Sequence, residues 1–191
     1  SAVSLINLST ATSGSITAYQ WNFGDGSNAA GIPSSHTYSS PGNYTIQLTA
    51  TSIYGCSTTA ARTILAYPLP VASFIANNGC PGIPVTLQNT STIASGTIAS
   101  NFWTFANNIT STQTVPSPVF NTPGTYDIRL IASSSNGCKD TADGSVTIHP
   151  APAASISAPA VCMNALTQLN GSATTGSATI HDWNWNLGDG S

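Results

Sequence analysis

The chain of 191 residues carries only 5% charged side chains, with no Glu, one Lys, two Arg and a formal net charge of −3. Three scattered cations cannot grip a phosphate backbone, which excludes nucleic acid as a partner. No apolar run approaches the ~20 residues that span a bilayer. Few Glu, Lys and Leu leave little to hold a helix, whereas Thr, Val, Ile and aromatics favour strands, so an all-β fold is expected.

In chain order, Tyr19, Trp21 and Phe23 alternate and share one face of a strand that runs into the turn Gly24-Asp25-Gly26. Tyr44, Ile46, Leu48 and Ala50 predict a second inward-facing strand, and Ile64 with Ala66 a third. After the linker Tyr67-Pro68-Leu69-Pro70 come Ala72, Phe74 and Ala76, then Val85 and Leu87, separated by a turn-rich Asn-Asn-Gly-Cys-Pro-Gly. Trp103 with Phe105, the strand of Tyr126, Ile128, Leu130 and Ala132, and the pair Val146 and Ile148 complete the set. Trp103 and Tyr126 are expected to pack across the core between two sheets. A second proline-bracketed linker, His149 to Pro152, precedes Trp183, Trp185, Leu187 and the turn Gly188-Asp189-Gly190.

These elements are one unit repeated. Trp21, Trp103 and Trp185 are spaced by 82 residues, and so are Cys56 and Cys138, Cys80 and Cys162, and Tyr44 and Tyr126. The register predicts a first unit at 1–68 lacking its opening strand, a complete unit at 69–150 and the first half of a third at 151–191. Six or seven short strands per unit, with turn signals between them, read as a β-sandwich. Prolines two apart at each junction make a short, semi-rigid link, so the sandwiches are expected to form a rod.

Cysteine at two fixed positions per unit points to an oxidising compartment. Within a complete unit Cys80 and Cys138 are the natural pair, with the partners of Cys56 and Cys162 outside the sequence. A bridge to a neighbouring unit, the pairs Cys56–Cys80 and Cys138–Cys162, and reduced thiols all stay open. The cysteines lack metal-ligand spacing. His36, His149 and His181 occupy three different phases of the repeat, so they share no site, and His36 is expected to pack at a strand edge. Neither a catalytic residue, a metal nor a cofactor is expected. Asp25 and Asp189 are read as turn-formers, because the middle unit replaces Gly-Asp-Gly with Ala106-Asn107-Asn108, which a catalytic or metal-binding carboxylate would not tolerate. Asp140 and Asp143 near Lys139 read as a solvated loop rather than a calcium corner. Asn7, Asn43, Asn89, Asn108 and Asn170 head N-x-[ST] triplets that so Ser/Thr-rich a chain produces by chance.

Trp21-Asn-Phe-Gly-Asp-Gly26, Trp185-Asn-Leu-Gly-Asp-Gly190, Ser35-His-Thr-Tyr38, Pro41-Gly-Asn-Tyr44 and Pro123-Gly-Thr-Tyr126 together resemble the PKD (polycystic-kidney-disease) repeat. The resemblance runs in register along the whole chain and implies tandem immunoglobulin-like sandwiches, with Trp21, Trp103, Trp185, Tyr44 and Tyr126 as core aromatics. The first Asp of the family signature is Asn22, Thr104 and Asn186 here. The added cysteines are similar to those of PKD arrays in large secreted surface proteins of Bacteroidetes type, generally stalks or adhesins. That likeness implies an extracellular, non-catalytic structural or adhesive protein whose partners are neighbouring repeats or identical chains. An array that binds surface glycans is the alternative. Asp140-Thr141-Ala142 is also similar to the O-glycosylation triplet of such proteins, with Thr141 as the acceptor.

Overall fold

The computed structural model describes residues 2–33, 35–163, 167–174 and 179–187, and contains no α-helix among them. The chain divides into two compact units, Ser1–Pro70 with Ile93–Thr97 and Ser134–Cys138, and Val71–Thr92 with Ile98–Ser133 and Lys139–Ser191.

The first unit holds β1 (Ala2–Ser4), β2 (Ile16–Asn22), β3 (Asn28–Ala30), β4 (Ser35–Thr37), β5 (Gly42–Ser52) and β6 (Ser57–Ala66). Strands in the order β3-β2-β5-β6 form one antiparallel sheet, and β1 pairs with β4 in a second, smaller one. Period-two alternation along β5 buries Ile46 and Ala50 and half-buries Tyr44 and Leu48, while Thr45 and Gln47 face water. The core is small: Trp21, Phe23 and Ile46 are buried, with Leu5, Tyr38, Leu48 and Ile64 packed around them.

Further along the chain follow β7 (Pro70–Val71), β8 (Phe74–Ala76), β9 (Leu87–Asn89), β10 (Thr92–Ile93), β11 (Ile98–Phe105), β12 (Thr110–Ser111), β13 (Gly124–Ser134) and β14 (Lys139–Ile148), most of them in the second unit. The order β12-β11-β13-β14 repeats the large sheet of the first unit, and β8 pairs with β9 opposite it. Eight strands appear where six or seven are expected, because β7, β10 and β12 are two-residue edge pieces. Here the core is complete: Val85, Leu87, Trp103, Phe105, Phe120, Ile128, Leu130, Val146 and Ile148 are all buried.

The two long hairpins close identically. Ser52 N–H donates to Cys56 O and Gly55 N–H to Ser52 O; 82 residues on, Ser134 N–H donates to Cys138 O and Gly137 N–H to Ser134 O. Gly55 and Gly137 both sit at φ 80, where any side chain is strained.

Trp103 and Tyr126 belong to one core cluster; the Trp103 ring meets Phe74 edge-on at 5.3 Å and Phe105 at 6.4 Å, while Tyr126 stacks on Phe120 at 4.2 Å. Trp103 turns inward from mid-strand, whereas Tyr126 near the strand's start meets the loop leading into it. One expectation needs correction. Trp185 is not a core residue here: it is 40% exposed, beside Trp183 at 51% and Leu187 at 55%. Around it the described residues provide only β15 (Ala153–Ser157) and β16 (Asn170–Thr174), a two-stranded pair with no second sheet over the ring. Gly188, Asp189 and Gly190 lie outside the described residues.

Candidate functional site

A dense polar cluster of the first unit sits where β2 turns into β3. Asn22 Oδ1 accepts from Gly24 N–H at 2.9 Å, and Asp25 Oδ1 accepts from Ser27 N–H at 3.0 Å, so two side chains close the turn on its own backbone. Gly24 at φ 80 lies so close to β5 that a Cβ would come within 2.8 Å of Thr45 O; Gly26 at φ 92 faces open space. The Asp25 carboxylate also accepts the Ser27 hydroxyl and lies 2.8 Å from His36 Nε2. These hydrogen bonds, the Ser27 hydroxyl first and His36 next, hold its pKa well below the usual carboxylate range. His36 is fixed from the other side by stacking on Phe23 at 3.9 Å and by Tyr38 edge-on at 4.7 Å. Tyr38 donates to Phe23 O, and burial, with the Asp25 charge nearby, raises its phenol pKa.

Ser, His and Asp thus meet, but not as a relay. A nucleophile needs the imidazole between hydroxyl and carboxylate, using a different ring nitrogen for each. Here Nε2 faces both Ser27 Oγ at 3.3 Å and Asp25 Oδ2, and the carboxylate is the hub. The arrangement ties β4 to the β2–β3 turn. Sequence reasoning missed it, placing His36 as a packing residue only; the signal was the 11-residue separation of Asp25 and His36 on elements that the sandwich brings together.

In the middle unit a 3-10 turn, Ala106–Asn108, takes the place of Gly-Asp-Gly, with Asn108 at φ 59 supplying the left-handed residue. Its ion pair lies elsewhere: Arg129 Nε and Nη2 donate to Asp143 at 2.6 and 3.0 Å across the β13–β14 ladder. That contact lowers the Asp143 pKa and raises that of Arg129. Asp140 accepts from Ala72 N–H at 2.9 Å. Being three residues apart on one strand, Asp140 and Asp143 face opposite ways and do not converge.

No two of the four cysteines are bonded to each other in the structure; Cys56, Cys80 and Cys162 are exposed and Cys138 is half-buried. The expected Cys80–Cys138 bridge is therefore corrected. Cys80 follows Gly79, which pairs with Ile148 at one end of β14, and Cys138 precedes Lys139 at the other end of that ten-residue strand. A strand of that length spans ~30 Å, against a disulfide limit near ~7 Å between Cα atoms. Thr141 is exposed on β14, opposite Ile131.

Along the first unit runs an apolar groove of about 770 Å³, bordered by Leu5, Trp21, Ile46, Leu48, Arg62 and Ile64. The corresponding place in the middle unit is filled by β8, whose Phe74 meets Trp103. The 82-residue register anticipates the difference, since the strand matching β8 would fall before Ser1.

The profile of the PKD domain family matches residues 3–65 and 67–148. Among curated proteins, the pre-pro-metalloprotease PrtV of Vibrio cholerae serotype O1 is 31% identical over 138 residues, 71% of this chain. The chain spans about 15% of that relative's length. The crystal structure of the PKD1 domain from the V. cholerae metalloprotease PrtV is 32% identical, covering 42% of this chain and 96% of that one, with a TM-score of 0.38. That of the PKD1 domain of Vibrio anguillarum Epp is 25% identical, covering 44% and 96%, with a TM-score of 0.40.

Proposed function

Because this chain belongs to the PKD domain family, we propose that it is a non-catalytic, extracellular structural array, a rod-like stalk or fibre at the cell surface that holds or spaces what it is attached to. The supporting observation is where the aromatics are spent. Residues at the same phase, Trp21 and Trp103, are both buried, at 6% and 0% exposure, and their indole Nε1–H groups are capped by backbone carbonyls of Gly31 and Gln113. Side chains committed in that way build a brick and leave no reactive edge. The polar cluster at Asp25 likewise ties strands together. Residues 151–191 are read as the start of a third such brick, and the partners as neighbouring repeats or identical chains. Small-angle scattering tests the rod: each complete repeat should add ~35–45 Å to the maximum dimension, from ~3.3 Å per strand residue. A compact or fluctuating profile overturns it.

One observation favours a second reading, an array that binds glycans. Trp183 and Trp185 are 51% and 40% exposed, and both rings lie beside Gly171, so two partly open indole faces sit close together. Saturable binding on a glycan array, lost in Trp183→Ala, would select that reading over a stalk.

A further inference from the structure

The outer face of the large sheet differs between the two units at matched positions. In the first unit Thr45, Gln47 and Thr49 of β5 lie opposite Thr63, Ala61 and Thr59 of β6, and hydroxyl pairs join Thr45 to Thr63 and Thr49 to Thr59. Their counterparts 82 residues on are Asp127, Arg129 and Ile131 opposite Ser145, Asp143 and Thr141, with Lys139 one row further, opposite Ser133. Phe102, 43% exposed, stands where the first unit has Gln20. The whole chain has three cationic and six acidic side chains, and Asp127, Arg129, Lys139 and Asp143 bring four of them onto this one face. The fold does not require them, because the first unit builds the same four-stranded sheet with Thr45, Gln47, Ser57 and Ala61 in those places. Both sheets over the middle core come from β8 to β14, so this is the face of a complete unit.

Arg129 and Asp143 satisfy each other through two hydrogen bonds. Asp127 and Lys139 are exposed, and neither has an ion-pair partner among the described residues. They stand at opposite ends of the face, ~20 Å apart at ~3.3 Å per residue along β13, so they cannot meet within one copy. Beside Asp127 opens a depression of about 420 Å³, bordered by Thr104, Asn108, Arg129 and Asp143, and its carboxylate, amide and hydroxyl oxygens suit an ammonium group. Between the two ends the face is apolar. The first unit pairs Gln20 with Thr49, a register that puts Phe102 beside the half-buried Ile131. A face negative at one end, positive at the other and apolar between is complementary to itself when turned end for end.

We propose that this face binds the same face of a second copy of the chain, turned antiparallel about a two-fold axis. Lys139 of each copy enters the depression beside Asp127 of the other, and Ile131 and Phe102 meet at the centre. One patch serves both partners, so both ion pairs form at once. Lys139 is set one strand, ~4.8 Å, aside from β13, a step that its four-carbon stem spans. Thr141 lies in the same face, so a sugar attached there holds the copies apart. The contact gives a surface to the identical-chain partners proposed above, and it rests on that reading.

The test is sedimentation of the 191-residue chain, made without attached sugar, up to millimolar concentration. Expected is association that grows with concentration and weakens with salt. Asp127→Lys and Lys139→Asp should each weaken it at least about 10-fold, since each sets two like-charge contacts where two unlike ones stood. Neither change threatens the fold, because both side chains are exposed and the first unit carries Thr45 and Ser57 there. The two single variants, mixed, should associate with each other as tightly as the parent does, because the mixed pair restores both contacts. The double variant should do the same on its own. A monomer at every concentration, single variants that associate like the parent, or single variants that stay apart when mixed overturn the proposal. A monomer whose scattering is that of a rod removes this contact and leaves the stalk standing.

Discussion

Glycine and aspartate at the β2–β3 turn show how a single atom decides a local structure. Gly24 and Gly26 both adopt positive φ, but only Gly24 is pressed against β5. Gly24→Ala should therefore cost about 2 kcal/mol or more in urea unfolding of the first unit, against about 1 kcal/mol for Gly26→Ala, where backbone strain acts alone. Asp25 makes the turn sensitive to acid. Its pKa is lowered on folding, so its contribution is fully present above the ordinary carboxylate range and is lost as pH falls through the folded value. Asp25→Asn should flatten the acid limb of a stability-versus-pH profile, with little change in its slope at neutral pH. An acid limb as steep as that of the parent chain would show that other carboxylates govern it.

At the scale of the element, the two long hairpins are read correctly from alternation because each buries one face. Tyr44 to Ala50 and Tyr126 to Ala132 point inward in the structure as they do in the pattern. The pattern misplaces Trp185 for a physical reason: period two says which residues share a face, and only a second sheet makes that face a core. Trp103→Ala should cost about 3–5 kcal/mol, as for a buried large-to-small change, while Trp185→Ala should change unfolding by less than about 1 kcal/mol. Comparing the two denaturation midpoints checks both. Gly144 belongs to this scale as well. Adding a methyl there pushes on the Phe74 ring, so Gly144→Ala should destabilise the middle unit by about 1–3 kcal/mol through overpacking, whereas the same change at Gly82, with nothing within 4 Å, acts through its φ of 75 alone.

On the scale of the whole molecule, a chain so poor in charge is solvated by Ser, Thr, Asn and Gln, and its neighbouring copies repel each other weakly. Attached glycans would add solubility, and Thr141 is the candidate acceptor, exposed on β14. The intact mass of the natively produced protein should exceed that of the polypeptide, and Thr141→Ala should remove the excess; a mass equal to the polypeptide rules the modification out.

The all-β class, the 82-residue unit and the inward-facing aromatics were legible in the sequence, because strand periodicity, turn chemistry and exact spacing are all local or self-referential. The family followed from the same residues. Two things were not legible: that Asp25, Ser27 and His36 meet, and that Asp140, read as part of a solvated loop, accepts from the amide of Ala72. Each is a distance between residues far apart in sequence, and distance across a sandwich is set by how two sheets register and pack, which no one-dimensional pattern contains. Repetition told which side chains are equivalent; only the packed structure told which equivalents are covered.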